Sequence, residues 1–214
     1  MEFTKKQAIS IVVKAAEQFR DNLAGRNIMF LCLSKDKQTS YVETVFTEAI
    51  FLHLTGFKVD KTRVSAKEFY NKCLNHILAE EDFDFADDHT TEMKLEVLPY
   101  VMSETLGNAN IIGDFNGRGF KLFTEKLVGS TRACIGFVHN KNGRIMSPNT
   151  LINADARDYV TNWVRIIAIY VKNIRDSEYS KLVYTAKKVD FSSITLPDEI
   201  AKLIKISDNT DEER

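Results

Sequence analysis

From Gly107 onward the chain is cut into short apolar runs by glycine-containing turns. Ala109 to Phe115, Lys126 to Val128 and Ala133 to Val138 are punctuated by Gly113, Asn116-Gly117, Gly129 and Asn142-Gly143. Asn-Gly suits two-residue hairpin turns because both of its positions tolerate positive φ. Runs this short cannot supply full helices, so this half of the chain reads as antiparallel sheet. Val164 to Val171 and Leu182 to Ala186 complete the strand set.

The first half reads differently. Thr4-x-x-Gln7 is a capping box, and Ile9, Val12, Val13, Ala16, Phe19 and Leu23 follow at helical spacing until Gly25. Asn27 to Leu33 is a buried strand, and Tyr41 to Phe46 and Ala49 to Leu54 read as a strand or strand pair. Ser65-x-x-Glu68 starts a second helix through Phe69, Cys73 and Ile77. Thr91 to Leu106 is a third, with Pro99 as a kink or early end. Pro197 opens a short helix over Asp198 to Ile204, and 207–214 is a polar tail. The expected class is α+β: N-terminal helices and a strongly curved, open antiparallel sheet with a helix inserted between strands, forming one domain over 1–206.

Composition narrows the class further. The chain has 214 residues, enough for one good-sized core. Its longest apolar run, Val164 to Val171, is interrupted by Arg165 and is too short to span a membrane. The start, Met-Glu-Phe-Thr-Lys-Lys, leads into an amphipathic helix and not a signal sequence. Cys32, Cys73 and Cys134 are odd in number at unrelated spacings, which points to a reducing, cytoplasmic setting. A net charge of −1 gives no global basic signature, although charge is uneven. Glu80 to Asp88 is acidic, and Arg118 to Arg144 carries Arg118, Lys121, Lys126, Arg132, Lys141 and Arg144 against Glu125.

Common site motifs are absent. There is no P-loop, and Gly113, Gly117 and Gly119 do not form a dinucleotide fingerprint. A calcium loop begun at Asp82 would put Asp87 where glycine belongs and Met93 where glutamate belongs. Cys73-x-x-His76 is half a zinc site without a second pair, so no metal and no cofactor is expected. There is no Gly-x-Ser-x-Gly elbow, and Cys134 lies in an apolar strand where an inert thiol is expected.

The groups that remain suit metal-free phosphodiester chemistry. Such chemistry needs a base for the 2′-hydroxyl, cations or donors for the phosphoryl oxygens, and an acid for the leaving 5′-oxygen. His53, in Phe51-Leu52-His53-Leu54-Thr55-Gly56, is a candidate base or acid at the end of a strand-like run. Lys94, Arg132, Arg157 and Lys172 are candidate phosphate stabilisers, and Thr131 and Tyr184 candidate donors. Each has a structural alternative. Thr55 would cap the turn at Gly56, Arg157 would pair with Asp155 or Asp158, Lys94 with Glu92 or Glu96, Tyr184 would pack in the core, and Lys172 would be solvated.

Phe-Leu-His-Leu-Thr-Gly at 51–56, Glu-Phe-Tyr-Asn-Lys-Cys-Leu at 68–74 and Lys-Leu-Glu-Val-Leu-Pro at 94–99 together resemble one family. Ile-Gly-Asp-Phe at 112–115, Lys-Leu-Val-Gly at 126–129, Pro-Asn-Thr-Leu at 148–151 and Asp-Ala-Arg at 155–157 extend the resemblance. It is to the phage-associated barnase–EndoU–colicin–RelE-like nucleases, from about Asn27 to about Lys188. The resemblance implies a barnase-like or RelE-like fold and a metal-independent endoribonuclease, often a toxin or effector of phage and mobile elements. It gives His53, Arg157 and Lys94 the catalytic positions, and leaves Thr55, Thr131, Arg132, Lys172 and Tyr184 as substrate-binding candidates. The expected partner is RNA, with a protein inhibitor or host protein as a further partner. The alternative is a non-catalytic phage protein that binds a host protein through the same cleft or the acidic loop. His53, Arg157 and another polar group lining one concave basic surface would favour the enzyme, and a His53 fully buried against apolar residues the binding module.

Overall fold

The computed structural model describes residues 2–119, 122–140, 143 and 145–204. Expectations that rest on Lys121, Lys141, Asn142, Arg144 or the tail 207–214 lie outside the described residues. Helix α1 (Lys5–Asn22) starts at the expected capping box: the Thr4 hydroxyl accepts from the Gln7 amide, and the Gln7 side chain accepts from the Thr4 amide. Its stripe of Ala8, Val12, Ala15, Ala16 and Phe19 is fully buried. Strands β1 (Arg26–Leu33) and β2 (Thr39–Phe46) follow as an antiparallel hairpin in register from Arg26↔Phe46 to Leu33↔Thr39.

The next apolar segment is helical and not the expected strand. A 3-10 turn over Glu48–Ile50 runs into α2 (Phe51–Thr55). Strand alternation would send Phe51 to one face and Leu52 and Leu54 to the other. In the single helical turn Phe51, Leu52, Leu54 and Thr55 are all buried and His53 alone is exposed. The Phe51 ring lies 5.3 Å from both Phe19 and Tyr70. That aromatic cluster favours the helix, since burying one phenyl ring is worth about 1.5–3 kcal/mol. Gly56, at φ 75°, stops the helix in the left-handed region that a side chain disfavours.

Helix α3 (Ala66–Leu74) begins at the Ser65–Glu68 capping box. Helix α4 (Thr90–Val101) tolerates Pro99 in its last turn and ends sooner than the sequence suggests. Strands β3 (Ile111–Phe115), β4 (Lys126–Gly129) and β5 (Cys134–His139) fall on the expected runs. Strand β6 (Met146–Ile152) was not expected. It contains Pro148, which lies opposite Phe137 beside a register shift, the kind of position where a strand tolerates a missing N–H. Strands β7 (Val160–Asn173) and β8 (Lys181–Thr185) precede a one-turn helix α5 (Asp198–Ala201).

The expected open, curved antiparallel sheet is not what forms. The order β1-β2-β6-β5-β4-β3-β7 returns to β1, giving a closed seven-stranded barrel with β8 as an appendage on β7. Nor is the sheet wholly antiparallel, because β2 meets β6 in parallel at Thr44↔Met146. The cause is the length of β7. Its fourteen residues pair with β3 over the first part and with β1 over the rest, so the sheet closes on itself. The Phe137 ring meets Phe30 and Phe46 edge-on at 6.4 and 6.1 Å, tying β5 to β1 and β2 across the ring. Helices α2 and α4 rest against β6, beside the thinnest seam of the barrel.

Candidate active site

A groove of about 720 Å³ lies where α2, the segment following it, α4 and β6 converge. His53, Lys58, Lys61 and Lys94 line it, with Phe57, Phe123, Asn149 and Thr150. Phe123 is 86% exposed, so an aromatic face stands at the edge of a cationic hollow. A cavity of this size accommodates a nucleotide-sized ligand.

His53 reaches this groove because it is the one exposed position in the α2 turn. Partial burial pushes its pKa below the ordinary 6.5, and the nearby cations Lys61 and Lys94 push it the same way. The imidazole is therefore held neutral at pH 7, with one ring nitrogen able to accept a proton.

Lys94 reaches it from the opposite side. It occupies the inward face of α4 with Thr91, Leu95 and Leu98, and is only 8% exposed. Its ammonium donates to the His53 carbonyl oxygen at 3.0 Å and makes no ion pair among the described residues. Burial lowers its pKa to about 8, with only Asp88 pulling the other way. The nearby Thr91 hydroxyl donates to the Gly56 carbonyl oxygen at 2.8 Å. Side chains of α4 thus occupy two carbonyls at the C-terminus of α2, which fixes His53 and Lys94 relative to each other. Gly56 makes this approach possible: a Cβ there would sit 2.8 Å from the Lys94 Cδ.

The other anticipated residues divide among different places. The Thr55 hydroxyl is buried, donating to the Leu52 carbonyl oxygen and accepting from the Phe57 amide, a turn-capping arrangement. Arg157 lies on a 3-10 turn away from the His53 groove and grips Asp155 through Nε and Nη2 at 3.0 and 2.5 Å. With Thr131 and Tyr184 it lines a second cleft of about 510 Å³. Arg132 stacks over the Tyr100 ring at 4.6 Å. Lys172 sits over Tyr179 and donates to the Ser177 carbonyl oxygen at 3.0 Å. The structure therefore brings His53 and Lys94 together and separates them from Arg157.

Sequence reasoning missed Lys58 and Lys61 of the groove. Both follow directly on the Gly56 turn, and that proximity was their signal. The remaining histidines are engaged elsewhere: His76 with Glu17, His89 with Glu92 and His139 with Glu125. The acidic stretch is also engaged, Asp82 with Lys72, Asp84 with Lys5 and Asp87 with Lys58. Burial drives all three cysteines up to about 12, so none is a thiolate at neutral pH. Among the described residues no three His, Cys, Asp or Glu side chains are grouped to hold a metal, and no helix is long and apolar enough to cross a membrane.

His53 and the buried Lys94 ammonium thus share a groove lined by further lysines, on the helix side of a small closed barrel. The chain belongs to the family described as phage-Barnase-EndoU-ColicinE5/D-RelE like nuclease4, which it matches over residues 11–188. It is thus a member of a phage-associated nuclease family, a family whose name implies a nucleic-acid substrate. No curated protein and no solved structure matches the chain.

Proposed function

We propose that this protein is a metal-independent endoribonuclease that cleaves RNA by internal transphosphorylation, with His53 and Lys94 as its catalytic pair. The observation carrying this reading is the shared groove, in which a proton acceptor and a buried cation with no ion pair among the described residues are held by one set of carbonyl contacts. His53, neutral at pH 7, takes the proton of the 2′-hydroxyl. The 2′-oxygen then forms its bond to phosphorus as the bond to the 5′-oxygen breaks. Lys94, still mostly protonated at pH 7, offsets the charge growing on the non-bridging oxygens. With a pKa near 8 it is also acidic enough to protonate the departing 5′-oxygen. Lys61 guides the flanking phosphate, while Lys58 beside it is held by Asp87. The products are a 2′,3′-cyclic phosphate and a 5′-hydroxyl. The phage association of the family fits an RNA-damaging effector held in check by a protein inhibitor.

The test is cleavage of a mixed RNA pool in excess EDTA by wild type, His53→Ala and Lys94→Met. Cyclic-phosphate ends in EDTA and a loss of about 10²–10⁴-fold in each variant are expected. The pH profile should rise through a pKa below 6.5, as His53 loses its proton, and fall through about 8, as Lys94 loses its own. Undiminished cleavage by His53→Ala would remove the imidazole from the mechanism. Inactivity of the wild type on total RNA and tRNA would favour a protein that binds a host partner.

A further inference from the structure

The second cleft is a consequence of how β7 is shared. At Arg165, β7 pairs with β1 on one edge and with β3 on the other. From Ala168 to Val171 it still pairs with β1, so β8, which pairs with the same residues, must occupy the β3 edge. Strands β3 and β8 therefore approach one edge of β7 from opposite ends. They stop short of each other: the Ile166 amide bonds to Asn110 ahead of β3, and the Ala186 amide bonds to Ile167 just after β8. The fork between them is the cleft, which opens toward the β4–β5 turn at Thr131.

Its walls have a consistent chemistry. Trp163 and Arg165 are two residues apart on β7 and so share one face. Arg157 and Lys187 flank them, and Tyr184 supplies a second aromatic ring. Trp163 is 43% exposed, and the Lys35 ammonium lies 5.7 Å from its ring centre. Arg165 is held by a 2.8 Å bond from Nη2 to the Lys187 carbonyl oxygen, which fixes its guanidinium at the cleft wall. Arg165 and Lys187 in the cleft, with Lys35 over the indole, place cations around an exposed aromatic face, while Arg157 is paired with Asp155. A charged backbone and flat bases, which single-stranded nucleic acid presents, match that arrangement.

We propose that this fork is a second, non-catalytic binding site for single-stranded nucleic acid, with a base stacked on Trp163 and phosphates held by Arg165, Lys187 and Lys35. It would anchor a strand away from the His53 groove and favour unpaired over duplex RNA. The proposal does not depend on the cleavage mechanism, because it concerns binding alone.

Trp163 is the only tryptophan in the chain, so intrinsic fluorescence reports on this cleft. The experiment titrates the protein with an all-deoxy oligothymidylate of about eight nucleotides, which has no 2′-hydroxyl and cannot be transphosphorylated. Saturable quenching is expected, with a salt dependence whose log–log slope falls by about 0.7 for each phosphate contact removed. Arg165→Ala and Lys187→Ala should weaken binding and lower that slope. His53→Ala should leave the titration unchanged. Trp163→Phe, with its fold checked by circular dichroism, should weaken binding measured by anisotropy of a labelled oligomer. Binding that leaves the indole unquenched would overturn the proposal, as would quenching unaffected by the Arg165 and Lys187 changes. Equal quenching by polyglutamate of the same length would overturn it in favour of an acidic polypeptide.

Discussion

An ammonium that is 8% exposed and bonded to a backbone carbonyl is costly to keep charged, which is why the Lys94 pKa falls from 10.5 to about 8. The sign follows directly. A folded-state pKa below the unfolded one means that the unfolded chain binds the proton more tightly. The group therefore lowers stability below pH 8, and that deficit shrinks as pH rises from about 8 to 10.5. Lys94→Met should raise stability at pH 7 by about 1–2 kcal/mol, allowing for the lost bond to His53, while cleavage collapses. Urea denaturation with an unchanged slope would measure the gain, and destabilisation would show that the ammonium is a net structural asset. The sequence offered Lys94 as a candidate but gave it carboxylate partners in Glu92 and Glu96. Those residues stand two positions away and cannot face it on a helix. Glu96 instead meets Asn153, and Glu92 meets His89. Arg157 was easier to read, because its neighbour Asp155 is local in sequence and their ion pair needs no tertiary contact.

At the scale of elements, what was legible depended on whether the signal was local. The capping boxes at Thr4 and Ser65 were readable because two side chains within four consecutive positions carry the whole device. Helix α2 was not. Its five residues are too few to show a period, and the aromatic cluster that decides its form comes from Phe19, Phe69 and Tyr70, all distant in sequence. Strand β6 was hidden by Pro148, which is acceptable there only because the β5–β6 register shifts beside it. The stop signal of α2 was visible as Gly56, but its second role was not. Gly56→Ala would meet both a φ of 75° and a Cβ 2.8 Å from the Lys94 Cδ. We expect a loss of about 1–2 kcal/mol, together with displacement of Lys94. Thermal unfolding measures the first and the alkaline limb of the cleavage profile the second. A variant as stable as wild type, with an unmoved alkaline limb, would mean that α2 and α4 adjust independently.

Closure of the barrel belongs to the whole molecule, and no local pattern encodes it. Apolar runs announced most of the strands, but a run does not specify its neighbours, and β7 has neighbours on both edges. The ring is also uneven. Strand β1 pairs with β7 along its whole length, across more than a hundred residues of chain, whereas β2 and β6 share one bridge at Thr44↔Met146. The helices that carry His53 and Lys94 rest against β6 at this seam, so the groove is built where strand pairing holds the barrel least. Local opening should reflect that difference. Amides bonded between β1 and β7 should exchange hydrogen only through global unfolding. Amides of β2 and β6 that face the seam should exchange through local opening, at least about tenfold faster. Native-state exchange followed by NMR, with and without the deoxy oligomer, measures both classes. Uniform protection around the ring would show that α2 and α4 seal the seam as firmly as a strand ladder would. In that case groove and barrel unfold as one cooperative unit, and substitutions in α2 would lower global stability as much as substitutions in β1.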